Sequence, residues 1–165
     1  MTPRLCPERP LPPYSYVPGR TPHPVSDPRG HAYGQTPAAL PPFDPAHPEL
    51  HAEWNYALDL FRAGYYWEAH EAWESLWHLC GRRGPVADLL KCLIKWAAAG
   101  VKTAEGSPVG RQRHLLRAQE LLQSVAAGPS PINGLDRERL GQAFTAALDA
   151  PPETTADWVI PWDRP

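Results

Sequence analysis

The sequence predicts an all-α fold: a compact antiparallel helical bundle of about five helices, with an extended proline-rich N-terminal arm and a short extended C-terminal tail. Three observations carry this. Apolar residues recur at helical spacing in successive segments between residues 48 and 150. Glycine, proline or both interrupt the pattern between those segments. Of 22 prolines, 14 lie in residues 1–48, where a residue with fixed φ and no backbone donor excludes helix and central strand alike. The expected organisation is an arm over 1–47 packed on the body, a helical body over 48–150 and a tail over 151–165.

The arm has the composition of a polyproline or disordered tail. Tyr14, Tyr16, Val17, Tyr33 and Phe43 argue against that, because a linker seldom carries aromatics. An arm lying ordered along the bundle accounts for them. Asp27-Pro28-Arg29-Gly30 reads as a tight turn within it.

Residues 48–63 open the body. Pro48 suits a first helical turn, Trp54, Ala57, Leu58 and Phe61 follow at helical spacing, and Gly64 ends the helix as a C′ glycine. The second helix, 65–80, starts at once, so the two form an antiparallel hairpin. Turned 100° per residue, it places Tyr66, Ala69, Trp73, Leu76 and Cys80 in one apolar stripe. Trp77 and His70 sit at its edge, with Glu74, Trp67, His78 and Glu71 beyond. Glu68 and Ser75 point roughly the other way. So wide an aromatic arc implies burial on more than one side. The His and Glu residues are then at best half in water, and buried ionisable groups must be paired, protonated or bound to something.

Gly81 to Pro85 break the chain before a third helix, 86–104. It is nearly all apolar, and Ala97-Ala98-Ala99-Gly100 permits close approach of a neighbouring helix. Lys91, Lys95 and Lys102 fall within about 40° of one another, a single basic stripe. Ser107 is placed to cap a fourth helix, 108–127, with Pro108 at its first position. Arg111, Arg113, His114 and Arg117 make its first half basic, and the arginines read as a solvated face. A fifth helix, about 136–149, buries Leu140, Phe144, Ala147 and Leu148. Trp158, Val159, Ile160 and Trp162 of the tail are costly to expose and should dock on the body.

At 165 residues the chain suits one domain. A net charge of −2 argues against a nucleic-acid ligand held by bulk electrostatics. No apolar run reaches membrane-spanning length, and prolines break the N-terminus where a signal core would lie. Cys6, Cys80 and Cys92 are odd in number with no C-x-x-C, which suits free thiols in the cytoplasm. A small molecule or a protein is the expected partner.

His70-Glu71 invites comparison with H-E-x-x-H, but position 74 is Glu, so the zinc-protease motif fails. His70, Glu74 and His78 stand at i, i+4 and i+8. His70 to His78 spans roughly 12 Å of helix axis, so only adjacent members, His70 with Glu74, can share a divalent metal. Glu74 to His78 is one residue too long for the di-iron Glu-x-x-His pattern, and no second copy occurs. No G-x-S-x-G, P-loop or G-x-G-x-x-G appears.

Residues 61–77 resemble the hallmark of a bacterial and archaeal family known only as domain of unknown function family 309. Phe61, Gly64, Tyr66, Glu68, Ala69, His70, Glu71, Glu74 and Trp77 carry the likeness. Leu93 to Ala99 is similar to the family's second block, and the likeness extends over about residues 50–125. It implies a compact all-α bundle and no particular reaction. It carries over His70, Glu71, Glu74 and Trp77 as site residues. Where that family often has Gln, this chain has Lys95, a positive charge that would weaken a metal site built from the acids.

Two functions follow. In the first, the domain binds a small ligand or metal between its second, third and fourth helices. Glu71 or Glu74 would be the general base, His70 the acid/base partner or metal ligand, and Lys95 or Lys102 the anion holder, with Trp77, His114 and Arg117 lining the site. Whether such a site turns over a substrate is left open by the sequence. In the second, the domain is a non-catalytic structural or interaction module, and the His/Glu motif is a buried polar network.

Overall fold

The computed structural model describes residues 3–125, 128–155 and 158–165. Its helices are α1 (Ala52–Arg62), α2 (Tyr66–Leu79), α3 (Pro85–Glu105), α4 (Pro108–Ser124) and α5 (Arg137–Asp149), preceded by a 3-10 turn, Pro48–Leu50. No strand forms among the described residues, and one isolated antiparallel bridge joins Leu135 to Trp162. The fold is the all-α bundle that the periodicity predicts. α3 is its axis, packed against α2 and α4, while α1 lies on α2 and α5 on α4.

Helix ends show where the local reading needs correction. Pro48 begins the 3-10 turn rather than α1. His51 is extended and caps α1, its ring accepting the Glu53 N–H. Ser107 stands at the cap of α4 but its side chain makes no capping bond. Helix α4 starts on Pro108, which has no N–H to satisfy. It ends at Ser124 because Val125 turns extended, and the last two positions expected of it, 126 and 127, lie outside the described residues. Gly64 does close α1: at φ 81° it lets its own N–H reach Phe61 O and the Tyr65 N–H reach Leu60 O. That Schellman pattern reverses the chain directly into α2.

Phe61 sits at the centre of an aromatic core. Its ring lies 5.2 Å from Tyr66, 5.6 Å from Trp73 and 5.1 Å from Trp96. The tail's Trp158 stacks over it at 6.4 Å. Such edge and offset contacts add to what burial alone contributes. Gly100 explains the small-residue run on α3: a Cβ there would lie 2.4 Å from Tyr66 Cγ. Trp158, Ile160 and Trp162 are buried, whereas Val159, expected to dock with them, is exposed. An extended segment alternates its faces, so Val159 points outward.

The arm is held by carboxylates of the body. Asp59 on α1 accepts the Leu5 and Cys6 N–H groups at 2.9 and 2.8 Å. Glu68 on α2 accepts the Tyr16 N–H at 2.8 Å and the Ser15 hydroxyl at 3.1 Å. Arg9 pairs with Glu53 at 2.6 Å and lies over the Tyr56 ring. Tyr16, His23 and Trp67 form an aromatic cluster, and Phe43 stacks on Trp54. No helix among the described residues is long and apolar enough to cross a membrane.

Candidate functional site

Helix α2 turns Tyr66, Ala69, Trp73 and Leu76 into the core. That rotation leaves His70, Glu71 and Glu74 along its rim. Each of the three offers a ligand atom within 4.8 Å of the others. His70 Nδ1 lies 3.2 Å from Glu71 Oε1, with the two side chains 26% and 47% exposed. The spacing predicts His70 with Glu74; the structure adds Glu71 as a third member. His78 lies past this group, exposed, with its ring against Trp77.

The donor set suits a borderline divalent ion: one imidazole and two carboxylates. Bonds of about 2.1 Å would require cis donor atoms to stand about 3 Å apart. The observed spread exceeds that, so binding would require side-chain rotation. Partial exposure leaves room for it.

Helices α3 and α4 supply the opposite charge. Lys95 and His114 line an open groove of about 640 Å³, together with Gln112, Arg113, Leu116 and Arg117. Burial pushes the His114 pKa down to about 4, and the positive fields of Lys95, Arg113, Lys102 and His70 act in the same direction. The ring is therefore neutral near pH 7 and offers one donor and one acceptor.

The three lysines of the stripe have different neighbours. Lys102 is taken up by Glu105 at 2.6 Å, and Lys91 lies 5.7 Å from the centre of the Trp77 ring. Arg117 pairs with Glu120. Lys95 and Arg113 make no ion pair among the described residues, and none joins Glu71 or Glu74 to the lysines. The groove's cationic character thus rests on Lys95 and Arg113, with Arg113 added by the structure.

Three buried charged residues escaped the sequence reading. Asp59 and Glu68 anchor the arm. Burial pushes the Glu68 carboxyl above its usual range, against the opposing pull of its Tyr16 and Ser15 donors. Arg111, read as part of a solvated face, is only 3% exposed. It shares the buried side of α4 with Leu115 and Ala118, four and seven residues on, and that spacing is the signal that could have found it.

Fold and rim together define a small all-α domain with a His/Glu cluster beside a basic groove. Residues 54–114 match the model of the family described as Domain of unknown function (DUF309), and over that stretch the chain is similar to it. The match is shorter than the likeness over about 50–125 that the sequence suggests. No curated protein and no solved structure matches the chain.

Proposed function

We propose that the protein is a small-ligand-binding helical domain whose site spans α2, α3 and α4. His70, Glu71 and Glu74 hold a divalent metal ion. Lys95 holds the anionic group of a small molecule in the adjoining groove, with Arg113 beside it. Trp77, Lys102, His114 and Arg117 complete the surroundings. The observation that carries this reading is the convergence of three ligand atoms within 4.8 Å on the rim of α2. If the site is catalytic, Glu74 or Glu71 is the base and His70 the acid/base partner, while His114, held neutral, offers hydrogen bonds. In this reading residues 1–47 are an arm on the 48–150 bundle, with 151–165 as its tail. The free thiols of Cys6, Cys80 and Cys92 support a reducing, cytoplasmic setting.

The test is elemental analysis and native mass spectrometry on the untagged full chain, beside His70→Ala. One equivalent of metal in the wild type, absent from His70→Ala, is the expected result. A bare polypeptide mass in both, with divalent metal supplied, overturns it.

A second reading is favoured by the His70–Glu71 contact and by the arm's carboxylate anchors. Here the His/Glu set is structural and the module serves a protein partner through its arm. Deleting residues 1–47 tests it: unchanged oligomeric state and unchanged captured partners count against it.

A further inference from the structure

We propose that Arg111 anchors a second site, for a short-chain monocarboxylate, in the cavity between the start of α4 and the end of α5. The inference does not rest on the His/Glu cluster or on the groove described above, although Val109 and Gln112 line both the groove and this cavity.

A guanidinium is charged at every physiological pH, so burial cannot be relieved by losing its proton. A buried charge needs a counterion or full hydrogen bonding. Arg111 is 3% exposed, and one of its amino groups donates to Ala147 O at 2.6 Å. Its Nε–H has no acceptor, and among the described residues the Glu153 carboxylate acts on it only through its field, without forming an ion pair. Its face lies over Trp158, 5.5 Å from the ring centre. The indole N–H groups of Trp158 and Trp96 are buried without acceptors too. Among the described residues, every unsatisfied buried group around this point is a donor, so the missing partner is an acceptor.

The space defines the rest of the ligand. Arg111 lines a cavity of about 190 Å³ whose other polar wall is Gln112, the remainder being proline, valine, leucine and alanine. A second cavity of about 130 Å³, lined by Trp96 and Trp158, adjoins it at Ala150. An apolar space of about 150 Å³ accommodates a benzene-sized guest, so a four-carbon acid fits the first cavity. One guanidinium fork matches one carboxylate in charge and geometry. Phosphate fits worse, because its additional oxygens would face the hydrocarbon wall.

The experiment is a titration of the ¹⁵N-labelled full chain with sodium butyrate, read at the Arg111 Nε–H and Trp158 indole N–H resonances, with chloride and phosphate at matched ionic strength. Butyrate is expected to move both resonances saturably, and chloride and phosphate to leave them in place. Arg111→Lys, which keeps the charge and loses the fork, should weaken binding about tenfold. Ala150→Leu fills the cavity with Arg111 intact and should abolish binding while the rest of the spectrum is retained, which keeps the test decisive even if Arg111→Lys does not fold. No saturable shift in the wild type overturns the proposal. So does an equal response to chloride or phosphate, or a response that persists in Ala150→Leu.

Discussion

Replacing Asp59 should release the first residues of the arm. The Asp59 side chain is 1% exposed and accepts two backbone N–H groups, from Leu5 and Cys6, with Arg4 Nε at 3.6 Å. Each charge-assisted hydrogen bond contributes about 1.5–3 kcal/mol. Asp59→Ala would thus forfeit about 3–6 kcal/mol if the arm stayed in place with both donors stranded. The arm has an alternative, since it can lift away and give both N–H groups to water. The loss is therefore capped by the docking energy of the segment, which also includes burial of Cys6, and a net cost of about 2–4 kcal/mol is expected. Asp59→Asn is the sharper variant. Its oxygen can accept one N–H, but its amide nitrogen then confronts the other donor, so it should fare little better than alanine. Urea denaturation gives the cost, and limited trypsin digestion reports release by cleavage after Arg4. Unchanged midpoints and unchanged protection in both variants would refute the claim that these two bonds hold the arm.

Three further outcomes follow from the same structure. The lowered pKa of His114 means that the unfolded chain takes up its proton first, so its contribution is present above about pH 6.5 and is lost as pH falls toward about 4. Discounted for the solvent that reaches the half-buried ring, this amounts to about 1–2 kcal/mol, and urea midpoints for His114→Gln should show a shallower loss between neutral and acid pH than wild type. Glu68 has the opposite sign: its raised pKa makes its contribution greatest below the unfolded carboxyl range and diminishes it as pH rises through the folded value, a slope that Glu68→Gln should remove in the same assay. Gly100→Ala should destabilise by about 1–3 kcal/mol despite its better helix propensity, because its Cβ would meet the Tyr66 ring, itself fixed between Phe61 and Trp158; an unchanged melting temperature would refute that packing argument.

The helices and their order were legible because period and punctuation agree over long stretches. Tyr66, Ala69, Trp73 and Leu76 recur at helical spacing and are buried together. The His70, Glu71 and Glu74 cluster was legible for the same reason, since neighbours on one helix have fixed relative positions. What was not legible depends on contacts distant in sequence. Asp59 lies between apolar residues, and only the backbone of Leu5 and Cys6, more than fifty positions away, explains its burial. Arg111 was hidden by its basic neighbours, because composition averages over a face that the helix divides. That the lysines of the stripe have different neighbours was not legible, because geometry on one helix does not reveal which acids compete for each ammonium. Lys102 found Glu105, one turn along its own helix.

The motif Glu68-Ala69-His70-Glu71 therefore divides its acids between two tasks. Glu68 faces the arm and accepts two of its donors, while Glu71 and Glu74 stand with His70 on the rim. Three residues separate Glu68 from Glu71, about one turn, and the cavity of about 600 Å³ beneath the arm is lined by both. Ser75, which spacing turns outward, also lines it and donates to Glu71 O. Glu71 is thus common to the arm-facing cavity and the His/Glu cluster on the rim. A bare functional assay of a motif variant would merge these roles, and comparing variants separates them. Glu68→Ala should loosen the arm and leave intact the metal binding proposed for His70 and Glu74 if the rim is ordered by α2 alone. Joint loss of arm protection and bound metal would show instead that the arm orders Glu71, making the motif the link between the two.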